Sequence, residues 1–196
     1  LVGAGAEATT LRGSGQVRVF DVGPQGDVTL RDLEITGGVE KQQARKGGAG
    51  IMVWDGGRLT VERCLITDNY AAEGAGIVVS RHATLTLLDT DVEHNTAFGV
   101  GGGLIAREES TVTIKAGTRI AENHARIWAG GILAEEGSVV TLEAGSQVTR
   151  NSSDNPGGGI LSRRATVRLA GPSIVTSNVP DNCGGAGASP IESCVG

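Results

Sequence analysis

The stretch GGGILSRRATVRLAGPSIVTSN, residues 157–178, contains three consecutive glycines, three short apolar segments and a closing Asn178. The apolar segments are rich in Ile, Val and Leu and show no 3.6-residue periodicity, which is typical of short β-strands rather than of helices. Nearly the same phrase occurs four times earlier in the chain. The sequence is therefore organised as a repeat, and the repeat decides the fold.

Two independent markers give the length of the repeat. The first is the apolar residue after each glycine cluster, which recurs at intervals of 26, 27, 28 and 28 residues: Ile51, Ile77, Leu104, Ile132 and Ile160. The second is the closing asparagine, which recurs at intervals of 26, 28, 28 and 27 residues: Asn69, Asn95, Asn123, Asn151 and Asn178. Because both markers keep nearly the same period, each unit of about 27 residues is one structural repeat.

Three strands and three turns in a unit of this length predict one coil of a parallel β-solenoid. Each strand stacks on its counterpart in the next coil at about 4.8 Å, so equivalent residues form columns. We expect two main interior columns: Ile51, Ile77, Leu104, Ile132 and Ile160, and Val61, Leu87, Ile114, Leu142 and Leu169. The five asparagines are expected to form a structural ladder that hydrogen-bonds along the axis.

The predicted fold class is an all-β, single-domain parallel β-helix (β-solenoid) with three strands per coil and about seven coils of 26–28 residues. Residues 1–45 are assigned to N-terminal coils, residues 46–179 to the regular coils and residues 180–196 to a C-terminal cap. The longest polar interruption, residues 38–48, is expected to protrude as a turn.

Composition and cysteine usage indicate the setting of the protein. The net charge is −5 with acids and bases interspersed, which argues against nucleic acid as a partner because that requires a basic face. No apolar run approaches the roughly 18 residues of a membrane span, so we expect a soluble chain. Cys183 and Cys194 flank a tail rich in Gly, Ser and Pro and are predicted to form a disulfide, whereas Cys64 is predicted to be a buried thiol. A disulfide indicates an extracellular or cell-surface location.

The chain also resembles a known class of secreted proteins. The resemblance rests on LVGAGAEATTLRGSGQVRVFDV at residues 1–22, on VTLRDLEITGG at residues 28–38, and on GGGL and GGGI at residues 101–104 and 157–160, each with its closing asparagine. These phrases are similar to those of secreted right-handed parallel β-helix proteins with polymorphic outer-membrane-protein-type repeats, which share the pectate-lyase-like superfamily fold. The resemblance implies a right-handed coil and a secreted or surface-exposed module.

Catalytic candidates are confined to one acidic segment. A polysaccharide lyase would use clustered carboxylates that bind Ca²⁺ and a basic residue on one exposed face. The densest acidic cluster contains Asp89, Asp91 and Glu93, but stacking places Asp91 beside Arg119. We therefore favour a salt-linked surface over a catalytic site.

No metal site and no cofactor are predicted, since the chain's three histidines share no column. Two threonine columns lie on the outward side of the second strands: Thr29, Thr60, Thr86, Thr113 and Thr141 in the first, and Thr84, Thr111 and Thr166 in the second. Regular threonine arrays are the device of ice-binding solenoids, but here charged and apolar residues interrupt the array at Arg58, Val139 and Arg168. Threonine is also a common outward residue of strands.

Alternation in the first strand predicts an apolar column on its outward side, which we call the apolar stripe: Met52, Val78, Ile105, Leu133 and Leu161. A contiguous apolar column on a surface marks a contact face, which could serve self-association, another domain or a glycan. The alternative is that a loop or the C-terminal tail covers the stripe. Both interpretations follow equally from the sequence.

The favoured function is a non-enzymatic secreted or cell-surface structural or adhesive module. The first alternative is a carbohydrate-active β-helix, either a polysaccharide lyase or a glycan-binding protein. The second is ice binding through the threonine columns.

Overall fold

The computed structural model describes residues 1–40, 47–184, 190–192 and 194. The protein is an all-β parallel solenoid of about six turns, and the described residues contain no helix. This confirms the predicted fold class. Of the predicted protruding turn at residues 38–48, residues 41–46 lie outside the described part of the chain.

Three ladders of stacked strands correspond to the three predicted strands of each coil. The first ladder contains Phe20–Val22, Ile51–Val53, Ile77–Val79, Leu104–Ala106, Ile132–Glu135 and Ile160–Arg163. The second ladder contains Asp27–Arg31, Arg58–Glu62, Thr84–Leu88, Thr111–Ile114, Val139–Leu142 and Thr166–Leu169. The third ladder contains Thr10–Arg12, Glu34–Thr36, Leu65–Thr67, Asp91–Glu93, Arg119–Ala121, Gln147–Thr149 and Ile174–Thr176.

A fourth, shorter ladder follows the asparagines and was not predicted. It contains Val39–Glu40, Tyr70–Glu73, Thr96–Val100, His124–Ala125 and Ser152–Ser153. Its strands are two to five residues long, and small side chains fill its inward side: Ala71, Ala97 and Ala125, with Ala49 and Ala75 from the glycine corner. Short strands that bury only alanine carry a weak hydrophobic signal, so the pattern of large apolar residues does not reveal them.

The register of the interior columns is the predicted one. Ile77 pairs with Ile51 on one side and Leu104 on the other, and Leu104 pairs in turn with Ile132. In the second ladder, Ile114 lies between its partners in the predicted column and has no solvent exposure. The main core is thus a continuous set of aliphatic columns between the first three ladders.

The asparagines of the ladder are buried, and each hydrogen-bonds to the coil before it and the coil after it. Asn123 Nδ2 donates to Oδ1 of Asn151 at 3.0 Å and to the carbonyl of Val92 at 2.9 Å. Its Oδ1 accepts from the backbone N–H and from Nδ2 of Asn95, both at 3.0 Å. The asparagine-to-asparagine bonds recur from Asn69 to Asn178. The side-chain amides therefore join the coils as the backbone ladders do.

The glycine that directly precedes each first strand lies against the asparagine ladder. A Cβ added at Gly103 would lie 2.7 Å from the carbonyl oxygen of Gly131 in the next coil and 2.9 Å from Asn123 Nδ2. Neither atom can move without breaking a ladder hydrogen bond. The spacing of 19 or 20 residues between these glycines and the asparagine of the same coil is thus a packing requirement.

Gly103→Ala is expected to lower the free energy of unfolding by about 3 kcal/mol, because overpacking at this site must separate two coils. Urea denaturation followed by circular dichroism measures the loss. Gly56→Ala is the matched control, since Gly56 has open space around it and a φ of 77°, so only its left-handed conformation should cost about 1 kcal/mol. Equal losses in the two variants would contradict the packing role of Gly103.

The apolar stripe is buried, so its predicted role as an exposed contact surface is wrong. Its five members are 0 to 5% exposed: Met52, Val78, Ile105, Leu133 and Leu161. They form a second apolar cluster outside the main core, together with Ala129, Trp54 and Val100. The turn that joins the fourth ladder to the first covers the stripe.

The covering turns approach the stripe too closely for most side chains. A Cβ added at Gly74 would contact the Val78 side chain, and one added at Gly157 would lie 2.9 Å from the Cβ of Leu161. Gly74 and Gly157 have φ values of 54° and 97°, a region that glycine adopts without cost. Ala129 occupies the equivalent position with a φ of 59° and has no solvent exposure. A residue in the left-handed conformation three positions before each first strand of the stripe, glycine in every coil but that of Ala129, therefore lets the turn fold onto the stripe.

Residues after Asn178 lie beside the last coil. Ile160 forms a bridge with Cys183, and a disulfide joins Cys183 to Cys194 with a Cα–Cα distance of 6.1 Å. Residues 185–189, 193, 195 and 196 of the predicted cap lie outside the described part of the chain. Cys64 is a free cysteine with 4% exposure, and burial raises the pKa of its thiol.

Candidate binding face

Two of the three catalytic candidates in the acidic segment pair with a basic residue. Arg119 Nε donates to Asp91 Oδ1 at 3.1 Å, and the same guanidinium pairs with the carboxylate of Glu93. Asp89 lies on the turn before this strand, with a φ of 50°, and is exposed. Within the described residues no group of three or more His, Cys, Asp or Glu side chains is placed to hold a metal ion. The segment thus has the geometry of a salt-linked surface.

Charges of opposite sign alternate along the solenoid axis beside this segment. Glu122 accepts from Arg150 Nε at 2.8 Å and lies 2.8 Å from His94 Nε2. The hydrogen bond from Arg150 lowers the pKa of the Glu122 carboxyl. Asp32 likewise has a lowered pKa because Arg63 donates to it at 2.8 Å. These carboxylates stabilise neighbouring coils in their charged form.

Acid should therefore destabilise the protein through these two carboxylates. A folded-state pKa below the unfolded-state value means that the stabilisation is present above about pH 4.5, the ordinary value for Glu, and is lost as the pH falls through the folded-state value. Thermal melting should show a decrease in Tm below this pH. The decrease should be smaller in Glu122→Gln than in the Asp154→Asn control, and identical profiles would contradict the role of the Glu122 pair.

The first predicted threonine column lies on the second ladder in the predicted order. Thr86 pairs with Thr60 and Thr113, and Thr113 pairs with Thr141. The next position is Arg168. The threonines are half-buried, and a guanidinium ends the column, so this face lacks the uninterrupted two-column array on which an ice-binding interpretation depends.

Most of the exposed aromatic surface lies beside the fourth ladder. We define the aromatic face as Tyr70, Phe98, Ile127 and Trp128, which holds three of the five aromatic residues of the chain. Phe98, Ile127 and Trp128 are 41%, 40% and 38% exposed. The rings of Tyr70 and Phe98 meet edge to face with centroids 4.1 Å apart. Several exposed large apolar side chains close together on one surface are typical of a binding surface.

Local backbone geometry places these residues outside the solenoid. The register of the fourth ladder shifts between Ala97 and Val100, which forms a bulge and turns Phe98 outward. The Ile127 N–H donates to the carbonyl of Gly99 at 2.8 Å, which brings Ile127 next to the bulge. Trp128 forms a bridge with Val100 immediately before the covering turn. The four side chains thus occupy three successive coils.

Two ion pairs flank the aromatic face. Arg107 Nη1 donates to Glu73 Oε2 at 2.9 Å, and Arg163 Nη1 lies 3.9 Å from Glu135 Oε1. The Arg163 guanidinium also lies 5.1 Å from the centroid of the Trp128 ring, in a cation–π contact. Burial raises the pKa of Glu135 above its ordinary value. Aromatic rings, guanidinium donors and carboxylate acceptors are therefore presented side by side.

Comparisons with protein-family models, with curated proteins and with solved structures gave no match to this chain. No helix of the described residues is long and apolar enough to cross a membrane. The assignment of a function therefore depends on the surface chemistry of the molecule.

The sequence allows two interpretations of Trp54 and Trp128, stacking on a sugar or shielding a turn, and favours the second because the two lie at non-equivalent places in their coils. It does not single out Tyr70 or Phe98, so the aromatic face as a whole was not predicted. Trp54 has the shielding role, because its Nε1 donates to Asp21 Oδ1 at 2.6 Å and its ring packs against the apolar stripe. Shielding a turn does not account fully for Trp128, since its side chain is more than one third exposed. The available signal was that Tyr70 and Phe98 follow their asparagines by one and three residues, in strands that were not predicted.

Proposed function

We propose that the chain is a non-enzymatic binding module of a secreted or cell-surface protein, related to the right-handed β-helix proteins with polymorphic outer-membrane-protein-type repeats. The aromatic face is its adhesive surface. The observation that carries the proposal is the joint exposure of Phe98, Ile127 and Trp128 on a scaffold whose other large apolar columns are buried. Exposing these side chains in water has a cost that binding would recover.

A rigid solenoid supports such a role. Strand pairing on both sides holds the backbone of Thr96–Val100, and the buried asparagine ladder fixes the adjacent coils. A preorganised face loses little conformational entropy when a ligand binds. The Cys183–Cys194 disulfide supports an extracellular location, where disulfides persist.

The alternative of a polysaccharide lyase has less support from the site. Its candidate carboxylates, Asp91 and Glu93, both pair with Arg119, so Ca²⁺ or substrate would first have to displace a guanidinium. The aromatic face lies on the fourth ladder and does not include this segment.

Adhesion of protein-coated beads to cell surfaces tests the proposal. Beads that carry the protein should attach to cultured cells, and beads that carry the double variant Phe98→Ala/Trp128→Ala should attach several-fold less. The double variant Thr86→Ala/Thr113→Ala, on the second ladder, is the matched control and should attach normally. Equal attachment of all three would contradict the proposed surface. Release of unsaturated product from an acidic polysaccharide with Ca²⁺, abolished by Asp91→Asn, would instead establish a lyase.

A further inference from the structure

We infer that the aromatic face binds a neutral polysaccharide whose chain lies along the solenoid axis. The inference rests on the binding role proposed above and adds the class and orientation of the ligand. Three properties of the face carry it: its dimensions, its charge balance and its exposed area.

The dimensions match a linear chain of rings. Tyr70, Phe98 and Trp128 lie on three successive coils, so the face extends for about 10 Å along the axis at one coil per 4.8 Å. The advance per coil is close to that of one sugar unit in an extended polysaccharide. Aromatic faces carry negative charge density that attracts the slightly positive C–H groups on the flat side of a sugar ring.

The charge balance favours a neutral ligand. Two acids, Glu73 and Glu135, and two bases, Arg107 and Arg163, flank the rings and are paired with one another. Arg126 adds one exposed base beside them. Both carboxylates would repel a polyanion, and both guanidinium groups would repel a polycation. Sugar hydroxyl groups both donate and accept hydrogen bonds, so they can bond to carboxylate oxygens and to guanidinium N–H groups without displacing either.

The exposed area favours a sugar over a folded protein. Phe98, Ile127 and Trp128 are each about two fifths exposed, which corresponds to roughly 250 Å² in total for side chains of about 150–250 Å² each. A stable protein interface buries about 800 Å² on each partner, so most of such an interface would have to come from side chains outside the aromatic face. An extended peptide could not add as a strand here, because Thr96–Val100 already has a strand on each side.

Titration with hexasaccharides tests the inference. Neutral β-linked hexasaccharides of glucose, xylose and mannose are compared with a hexasaccharide of galacturonic acid, using calorimetry and tryptophan fluorescence. At least one neutral chain should bind and change the emission, and the acidic chain should bind at least tenfold more weakly. Trp128→Ala should weaken binding on the order of tenfold, the loss expected for one aromatic contact. Trp128→Phe should retain most of the affinity and lose the emission change.

Thr113→Ala, on the second ladder, is the matched control and should bind like the parent protein. The inference fails if no neutral chain binds, if the acidic chain binds better, or if Trp128→Ala has no effect. Bead adhesion that depends on Trp128 without sugar binding would retain the proposed function and reject the sugar. Self-association that Trp128→Ala abolishes, measured by sedimentation, would assign the face to a second copy of the chain and would also reject it.

Discussion

Ile114→Asp is expected to abolish the cooperative unfolding transition of the solenoid. Ile114 has no solvent exposure and lies between Leu87 and Leu142 in the second ladder. A carboxylate there would have no basic partner among the aliphatic columns of the core, and burial of an unpaired charge costs more than the cavity alone. We expect a loss of about 5 kcal/mol, comparable with the whole stability of many domains. Differential scanning calorimetry measures it.

The neighbouring residue provides the control for Ile114→Asp. Thr113 is half-buried and points to the opposite side of the same strand, so Thr113→Asp should keep a cooperative transition with a loss of less than about 1 kcal/mol. Ile114→Val should lose about 1 kcal/mol, the usual cost of one buried methyl group. If Ile114→Asp melts like Thr113→Asp, the inward assignment of the second ladder is wrong.

Asn123→Ala is expected to lower the free energy of unfolding by about 4 kcal/mol. The substitution removes the acceptor of two donors on Asn95 and the Nδ2 donor that bonds to Val92 and Asn151. Asn123 has no solvent exposure, and a buried polar group left without a partner costs about 1–3 kcal/mol. Urea denaturation of the purified variant measures the loss.

The end of the same ladder offers a matched comparison. Asn178 has the same type of bonds but is 7% exposed and lies in the last coil. Water can reach its partners more easily, so Asn178→Ala should cost clearly less than Asn123→Ala. Equal losses would show that the ladder does not depend on burial for its strength.

The ladders of the core could be predicted because the repeat carries the information twice. Ile77 and Leu104 each follow a glycine cluster and precede an asparagine by 18 and 19 residues, so the register of one column nearly fixes the register of the others. Physical stacking of like residues then follows directly from the period.

The apolar stripe could not be assigned in the same way. Alternation shows that Ile105 lies on the opposite side of its strand from Leu104, but it does not show whether chain or solvent lies beyond. The cover is a turn whose close approach depends on the left-handed conformation at residues such as Gly101 and Ala129. That conformation is a property of the backbone. Because Ala129 replaces glycine in one of the five coils, the sequence pattern does not reveal it.

The aromatic face lies where the repeat is least regular. Tyr70, Phe98 and Trp128 occupy different positions in their coils, and a bulge brings Phe98 onto Tyr70. A search for periodic columns discards such residues, because each occurs once. In this chain the scaffold is therefore readable from the repetition, and the proposed binding surface lies among the residues that do not repeat.

Because the coils are nearly identical, a folding chain could stack a coil on the wrong neighbour. The alternating charges disfavour this error. A coil that stacked by mistake on its next-but-one neighbour would still find Ile against Ile and Asn against Asn. The same error would place Asp32 against Asp89, since Arg63 normally lies between them. Repulsion between like charges thus penalises a skipped coil. The surface ion pairs add little to stability, but they favour stacking of each coil on the coil that precedes it in the sequence.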